Sequence, residues 1–174
     1  MKKTLIAVLF ASLTIGLMAT TRTAPPKNPP ATKIQWLTIG EAYKLSQKQP
    51  RKFVIDVYTD WCGWCKVMDK KTFTNAQVIE YVGKKYYAVK YNPETEGDVM
   101  LGRTSFRSLL QGINGYPTTV VLDEKYGMIQ PISGYLEARV FHQMVTFFGD
   151  DNHKKEDFEK FKVGTYTTKY NVTK

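Results

Sequence analysis

The sequence predicts an α/β domain of three layers, with helices on both faces of a central sheet. Between residues 53 and 148, segments typical of buried strands alternate with segments of helical periodicity. Their order is strand, helix, strand, helix, strand, strand, helix, which favours a sheet that is covered on both sides. The 174 residues, 43% of them hydrophobic, suffice for one domain with its own core. This composition excludes a disordered chain and a protein with several membrane spans.

The start of the chain has the pattern of an export signal followed by a linker. Lys2 and Lys3 precede an apolar run of about a dozen residues, which is typical of a secretory signal peptide over residues 1–19. An uncleaved membrane anchor is the alternative, although the run is shorter than a membrane span. Residues 20–33 contain two proline pairs and are predicted to form an extended linker. We therefore expect an exported protein, periplasmic or secreted, that meets the membrane only through this segment if it stays uncleaved.

The predicted domain, residues 34–149, opens with a capped helix and a buried strand. Thr38 with Glu41 three residues later is a capping-box pattern, which predicts a helix that runs to about Gln49. The almost unbroken apolar run over 53–58 then predicts a central strand that is buried on both faces.

The later elements follow from caps and from periodicity. A helix is predicted to begin near Cys62, and Asn75 is a good N-cap for the helix after it. Pro131 indicates that the last strand lies at an edge of the sheet. The remaining predicted elements are strands over 86–91, 117–122 and 128–132 and helices over 105–111 and 136–148. Residues 150–174 are predicted to form a polar C-terminal extension, with a possible short helix over 153–161 whose place in the fold does not follow from the sequence.

The chemistry of the chain is concentrated at its two cysteines, Cys62 and Cys65. They lie three residues apart, directly after a predicted strand and at the start of a predicted helix. The partial positive charge of a helix N-terminus stabilises a thiolate at Cys62. Cys65 lies one turn further along and is expected to be the less accessible, resolving thiol. Because this spacing lets the two sulfurs reach bonding distance, the pair is predicted to be redox-active.

An inert disulfide and a metal site are the alternatives to redox chemistry. Closing so short a loop stabilises a protein by only about 2 kcal/mol, against about 4.7 kcal/mol for a loop of about 100 residues. Two cysteines that served stability would therefore lie further apart. Tetrahedral zinc needs four ligands, and neither His142 nor His153 stands at ligand spacing from the cysteines. We accordingly expect neither a metal nor another cofactor.

Three features together resemble the thioredoxin family. They are Asp56 six residues before Cys62, the stretch Trp61-Cys62-Gly63-Trp64-Cys65-Lys66, and Tyr116-Pro117-Thr118 at the start of a later strand. The likeness extends over about residues 34–149 and looks most like secreted thioredoxin-like proteins of the bacterial envelope, including the soluble domains of thiol-disulfide interchange proteins. It implies the thioredoxin fold, in which a mixed central sheet is flanked by helices on both faces. It also implies thiol-disulfide oxidoreductase activity on disulfide-bearing proteins.

Asp56 and Lys90 match the buried acid and the buried lysine of that family. Asp56 lies among apolar neighbours in the sequence, where burial raises the pKa of a carboxyl group. The resemblance implies that Asp56 takes the proton from Cys65 through a water molecule. Simple neutralisation of Asp56 by Lys90 is the alternative, and both interpretations can hold together.

Five further residues are expected to surround the cysteine pair. Pro117 matches the family's cis-proline beside the cysteines, with an ordinary trans proline at the start of a strand as the alternative. Trp61, Gly63, Trp64 and Tyr116 are predicted to line the substrate groove. For the aromatic residues, plain packing is the alternative.

The direction of electron flow does not follow from the resemblance. Trp64 stands where thioredoxins proper have proline, and this position tunes the reduction potential. We predict a reductase of disulfides in exported proteins, served by a separate electron donor such as a membrane thiol-disulfide relay. One alternative is a disulfide oxidase or isomerase on the same fold, and another is a non-catalytic binding module. The net charge of +9 comes from scattered lysines without a clustered arginine and aromatic pattern, so no nucleic-acid partner is expected.

Overall fold

The computed structural model describes residues 31–170, which are built around one five-stranded sheet. The strands are β1 Trp36–Leu37, β2 Lys52–Val57, β3 Tyr86–Tyr91, β4 Met100–Leu101, β5 Thr104–Ser105, β6 Thr118–Leu122 and β7 Met128–Ser133. The central sheet has the order β1, β3, β2, β6, β7, and β4 pairs with β5 in a separate hairpin. The predicted signal peptide and residues 20–30 of the predicted linker lie outside the described residues.

Helices cover both faces of this sheet. The helices are α1 Ile39–Ser46, α2 Gly63–Lys71, α3 Ala76–Lys85, α4 Phe106–Leu109, α5 Ala138–Gly149, α6 Phe158–Phe161 and α7 Thr167–Tyr170. Strand β2 runs parallel to β3 and antiparallel to β6, so the sheet is mixed. The predicted α/β architecture, with a mixed sheet between two layers of helices, is confirmed.

Alternation along the central strands divides the core into two clusters. In β2, even-numbered residues such as Val54 pack under α2, α3 and α5, together with Ala88 of β3 and Val121 of β6. Odd-numbered residues such as Ile55 face the opposite side, where α1 and α4 supply Ile39 and Phe106. Every residue of β2 is buried, because helices lie on both of its faces.

The local sequence signals mark several element ends correctly. Thr38 and Glu41 form the expected capping box at the start of α1. Asn75 caps α3 by accepting hydrogen bonds from the backbone N–H groups of Gln77 and Val78. Strand β7 with Pro131 lies at the edge of the sheet, as predicted.

Two short pairings have no counterpart in the sequence prediction. Strand β1 has two residues and pairs with Ala88 and Val89 of β3, while the hairpin of β4 and β5 lies in the long segment before Pro117. Elements of two residues are too short to show a periodicity. Helix α1 also ends earlier than predicted, at Ser46 rather than at about Gln49.

The chain after Gly149 packs against the domain. It forms a short 3₁₀ turn over Asn152–Lys154, helix α6, a π-helical turn over Lys162–Tyr166 and helix α7. Phe161 and Tyr166 are fully buried in the cluster beneath α3 and α5. Although the segment is polar in composition, it therefore contributes aromatic side chains to the core. No helix within residues 31–170 is long and apolar enough to cross a bilayer.

Candidate active site

The cysteine pair lies where the central strand leads into an α-helix. Strand β2 ends at Val57, and Cys62 is the N-cap of α2. Its Sγ accepts a hydrogen bond of 3.1 Å from the backbone N–H of Cys65, so it lies close to the positive end of the helix dipole. The two sulfurs form a disulfide of 2.05 Å. Cys62 is 4% exposed and Cys65 is 2% exposed, so Cys62 is only slightly the more accessible.

Asp56 and Lys90 lie side by side in the sheet, on the face that α2 covers. They are register partners in β2 and β3, and Lys90 Nζ lies 3.2 Å from Asp56 Oδ2. Asp56 is 2% exposed, and neither of its oxygens accepts a well-aligned hydrogen bond from a described residue. Burial raises the pKa of Asp56 to about 6, although the positive charge of Lys90 opposes the shift.

Lys90 has further partners that the sequence analysis did not identify. Its ammonium group also pairs with Asp69 on α2 and lies 4.7 Å from the centroid of the Tyr58 ring. Burial lowers the pKa of Lys90, but Asp56 and Asp69 outweigh this effect, and the pKa is raised overall. Lys90 therefore stays charged and links the buried acid to the helix that carries the cysteines.

Pro117 is held at the start of β6 by hydrogen bonds on both sides. The Tyr116–Pro117 peptide bond is cis. The Pro117 carbonyl accepts a hydrogen bond of 2.8 Å from the N–H of Gly134, and the Thr118 hydroxyl donates to the carbonyl of Gly115 at 2.7 Å. The turn before β6 is therefore fixed to the loop that follows β7.

Two exposed tryptophans flank the disulfide, and each is supported by a tyrosine. Trp61 is 68% exposed, with its ring edge-on to Tyr116 at 5.8 Å, and its indole N–H donates to Glu94. Trp64 is 62% exposed and lies 5.4 Å from Tyr135. Large exposed aromatic side chains beside a reactive group are typical of contact surfaces.

The structure joins several of the predicted site residues in pairs, namely Cys62 with Cys65, Asp56 with Lys90, and Trp61 with Tyr116. Trp64, Tyr116 and Pro117 line one groove of about 380 Å³. Gly63 is exposed at the first position of α2. Within residues 31–170, no group of three or more His, Cys, Asp or Glu side chains could hold a metal ion.

Sequence reasoning missed Asp69, Glu94 and Tyr135 as neighbours of the site. A signal for Asp69 was present, because residues four apart share a helix face and Asp69 lies four residues after Cys65. Glu94 and Tyr135 are brought to the site by loops. We find no local pattern that would have identified either of them.

Comparison with known proteins agrees with this geometry. The family model Thioredox_DsbH, described as a protein of unknown function, DUF255, matches residues 27–150. The thiol:disulfide interchange protein DsbD of Haemophilus ducreyi is 32% identical over 128 residues, which is 70% of this chain but only 21% of that protein. This chain therefore spans about a fifth of the length of that relative.

Two solved structures show the same fold. A DsbH oxidoreductase superposes with a TM-score of 0.52 at 17% identity, covering 74% of this chain and 94% of the other. A thioredoxin-fold protein from Helicobacter pylori gives a TM-score of 0.54 at 18% identity, covering 63% of this chain and 76% of the other. With its Cys-Gly-Trp-Cys motif at the tip of α2 and the family match over most of the domain, the chain belongs to the Thioredox_DsbH family of thioredoxin-like proteins.

Proposed function

We propose that this protein is a thiol-disulfide oxidoreductase that cycles Cys62 and Cys65 between dithiol and disulfide. The observation that carries the proposal is the disulfide at the N-terminus of α2, with Cys62 as its N-cap. The name of the DsbD relative, a thiol:disulfide interchange protein, supports the same chemistry. A disulfide across so short a loop contributes little stability, so a purely structural role explains it poorly.

The reaction we propose is a two-step exchange. The Cys62 thiolate attacks one sulfur of a substrate disulfide, forms a mixed disulfide and expels the other substrate sulfur as a thiolate. The Cys65 thiolate then attacks Cys62 Sγ, forms the internal disulfide and releases the second substrate thiolate. Two electrons pass from the protein's thiols to the substrate, and a separate thiol donor returns them to the protein.

Asp56 is proposed to accept the proton of Cys65 in the second step. A base is most effective when its pKa lies near the working pH, and burial raises the pKa of Asp56 to about 6. Thr119 is the register partner of Asp56 in β6, and its buried hydroxyl also lacks a hydrogen-bond partner among the described residues. Buried polar atoms of this kind are usually satisfied by an internal water, which would carry the proton from Cys65.

The proposal also covers the direction of electron flow and the location of the protein. We propose net reduction of disulfides in exported proteins, in the periplasm or outside the cell, with a membrane thiol-disulfide relay as the donor. The catalytic unit is residues 34–149, and residues 150–174 are an extension whose Phe161 and Tyr166 pack into the core of that unit. Trp61, Gly63, Trp64, Tyr116 and Pro117 form the contact surface for the substrate.

Trapping of mixed disulfides tests the exchange chemistry. In Cys65→Ala the second step is blocked, so covalent adducts to substrate proteins should accumulate and disappear on reduction. The matched control is Cys62→Ser, which keeps Cys65 but should form no covalent adducts. Adducts that are absent from Cys65→Ala, or equally abundant in both variants, would contradict the proposal.

A turnover assay separates the enzyme from a binding module. Reduction of insulin with dithiothreitol should be faster with the wild type than with Cys62→Ser. Equal rates would favour a non-catalytic module that uses its exposed tryptophans to hold a partner. A titration against glutathione then measures the reduction potential of the cysteine pair and so tests the direction of electron flow. The reduction potentials of reducing and oxidising thiol-disulfide proteins differ by about 150 mV.

A further inference from the structure

We propose that Tyr135 is a specificity-determining residue, which together with Trp64 selects partners that carry an aromatic side chain next to their reacting cysteine. This inference rests on the proposed function and adds a substrate class to it. Three observations carry it: the contact between the two rings, the hydrogen bonds on either side of Tyr135, and the chemistry of the groove that the two residues line.

The first observation is the contact between Tyr135 and Trp64. Their ring centroids lie 5.4 Å apart with an angle of 36° between the ring planes. Trp64 stands between the two cysteines in the chain and is largely exposed, while Tyr135 is half-buried against the core beneath α5. The two rings together therefore present one aromatic surface directly beside the disulfide.

The second observation is that the backbone around Tyr135 is fixed on both sides. The N–H of Gly134 donates to the Pro117 carbonyl at 2.8 Å, and the carbonyl of Leu136 accepts from the Thr72 hydroxyl at 2.6 Å. Thr72 is the C-cap of α2, so Tyr135 is tied both to the proline turn and to the helix that carries the cysteines. A surface that is ordered before binding loses little conformational entropy when a partner binds.

The third observation is the chemistry of the groove. It has a volume of about 380 Å³, and all of its lining residues are uncharged, namely Trp64, Tyr116, Pro117, Gly134 and Tyr135. A charged partner residue would lose hydration there without gaining a partner of opposite charge. An aromatic side chain would gain edge-on or offset contacts with the three rings in addition to its buried area. The groove therefore favours an aromatic residue over a small or a charged one.

The test uses three short peptides that each contain an intramolecular disulfide. They differ only at the residue next to one cysteine, which is Trp, Ala or Lys, and the rate of exchange with the protein is measured in both directions. With the wild type we expect the Trp peptide to react about 2- to 12-fold faster than the Ala peptide, the range that aromatic pairing supports. The Lys peptide should be the slowest.

Variants assign this preference to Tyr135. The ratio of the Trp to the Ala rate should fall towards one in Tyr135→Ala and be kept in Tyr135→Phe, which retains the ring. The matched control is Tyr43→Ala, because Tyr43 lies on α1 at the opposite face of the sheet. Its ratio should equal that of the wild type.

The possible outcomes separate this inference from the proposed function. Exchange that depends on Cys62 but shows equal rates for all peptides, or a preference for Lys, would overturn the specificity while leaving the oxidoreductase intact. A Tyr135→Ala variant that slows every peptide equally would show a structural role and would also overturn it. If no peptide exchanges in either direction, the proposed function fails together with the inference.

Discussion

Replacing Asp56 with Asn is expected to stabilise the folded protein at neutral pH. Burial raises the pKa of Asp56 from 3.8 to about 6, and this value already includes the attraction of Lys90. Each unit of pKa difference between the folded and unfolded states corresponds to about 1.4 kcal/mol, so the ionised carboxylate costs about 3 kcal/mol of folding free energy above pH 6. Asn has nearly the same shape and carries no charge, so the variant avoids this cost.

The sign of the pH dependence follows from the direction of the shift. Below pH 3.8 the carboxyl group is protonated in both states and contributes nothing to the difference. Between pH 3.8 and about 6 the unfolded chain has released the proton and the folded protein still binds it, so the contribution of Asp56 to wild-type stability falls as the pH rises. The advantage of Asp56→Asn should therefore appear over this window and stay constant above it.

Guanidinium unfolding of the oxidised protein, followed by circular dichroism at pH 3.5, 5 and 7.5, measures this difference. We expect the Asn variant and the wild type to be nearly equal at the lowest pH and to differ by about 3 kcal/mol at the highest. Asp69→Asn is the matched control, since Asp69 pairs with the same lysine but is 43% exposed. It should change stability by less than about 1 kcal/mol. An Asn variant that is no more stable than the wild type at pH 7.5 would refute the reasoning.

Three further outcomes are expected. In a quenched-flow assay at pH 7, Asp56→Asn should slow the attack of Cys65 on the mixed disulfide by up to about 30-fold, because a thiol without a base is only about 3% ionised at this pH. The defect should be smaller at pH 9, where more of the thiol is ionised. Burial lowers the pKa of His142, whose Nδ1 lies 2.8 Å from the Tyr166 hydroxyl, so the contribution of His142 to stability should fall as the pH drops below 6.5. This loss should be absent from His142→Gln, so the difference in unfolding free energy between the two proteins should shift in favour of the variant as the pH falls. Thr38→Ala should cost about 1 kcal/mol in urea unfolding at any pH between 6 and 8, through loss of the α1 cap.

Much of the fold could be predicted because its signals are local. The apolar run over 53–58 predicted a strand buried on both faces, and β2 is buried at every position. Asn75 predicted the start of α3, because a side-chain amide can satisfy the free N–H groups of a helix start without help from the rest of the fold. Pro131 predicted an edge strand, because proline cannot donate a ladder hydrogen bond.

The C-terminal segment was harder to predict. Its composition is polar, and the sequence analysis did not assign the possible helix over 153–161 a place in the fold. Phe161 and Tyr166 nevertheless complete the core beneath α3 and α5, and Tyr166 reaches His142. These contacts join residues 24 positions apart, and no periodicity within the segment indicates what it packs against.

The motif residues and the order along the chain of the elements between residues 53 and 148 were accessible from local patterns, and the resemblance to the thioredoxin family implied that Asp56 and Lys90 lie near each other. The contacts of Asp69 with Lys90, of Glu94 with Trp61 and of Tyr135 with Trp64 arise where loops and helices meet in space. Such contacts depend on the lengths and angles of several elements together. That is why the cysteine chemistry can be inferred from a short stretch of sequence, whereas the surface beside it is defined by the folded domain.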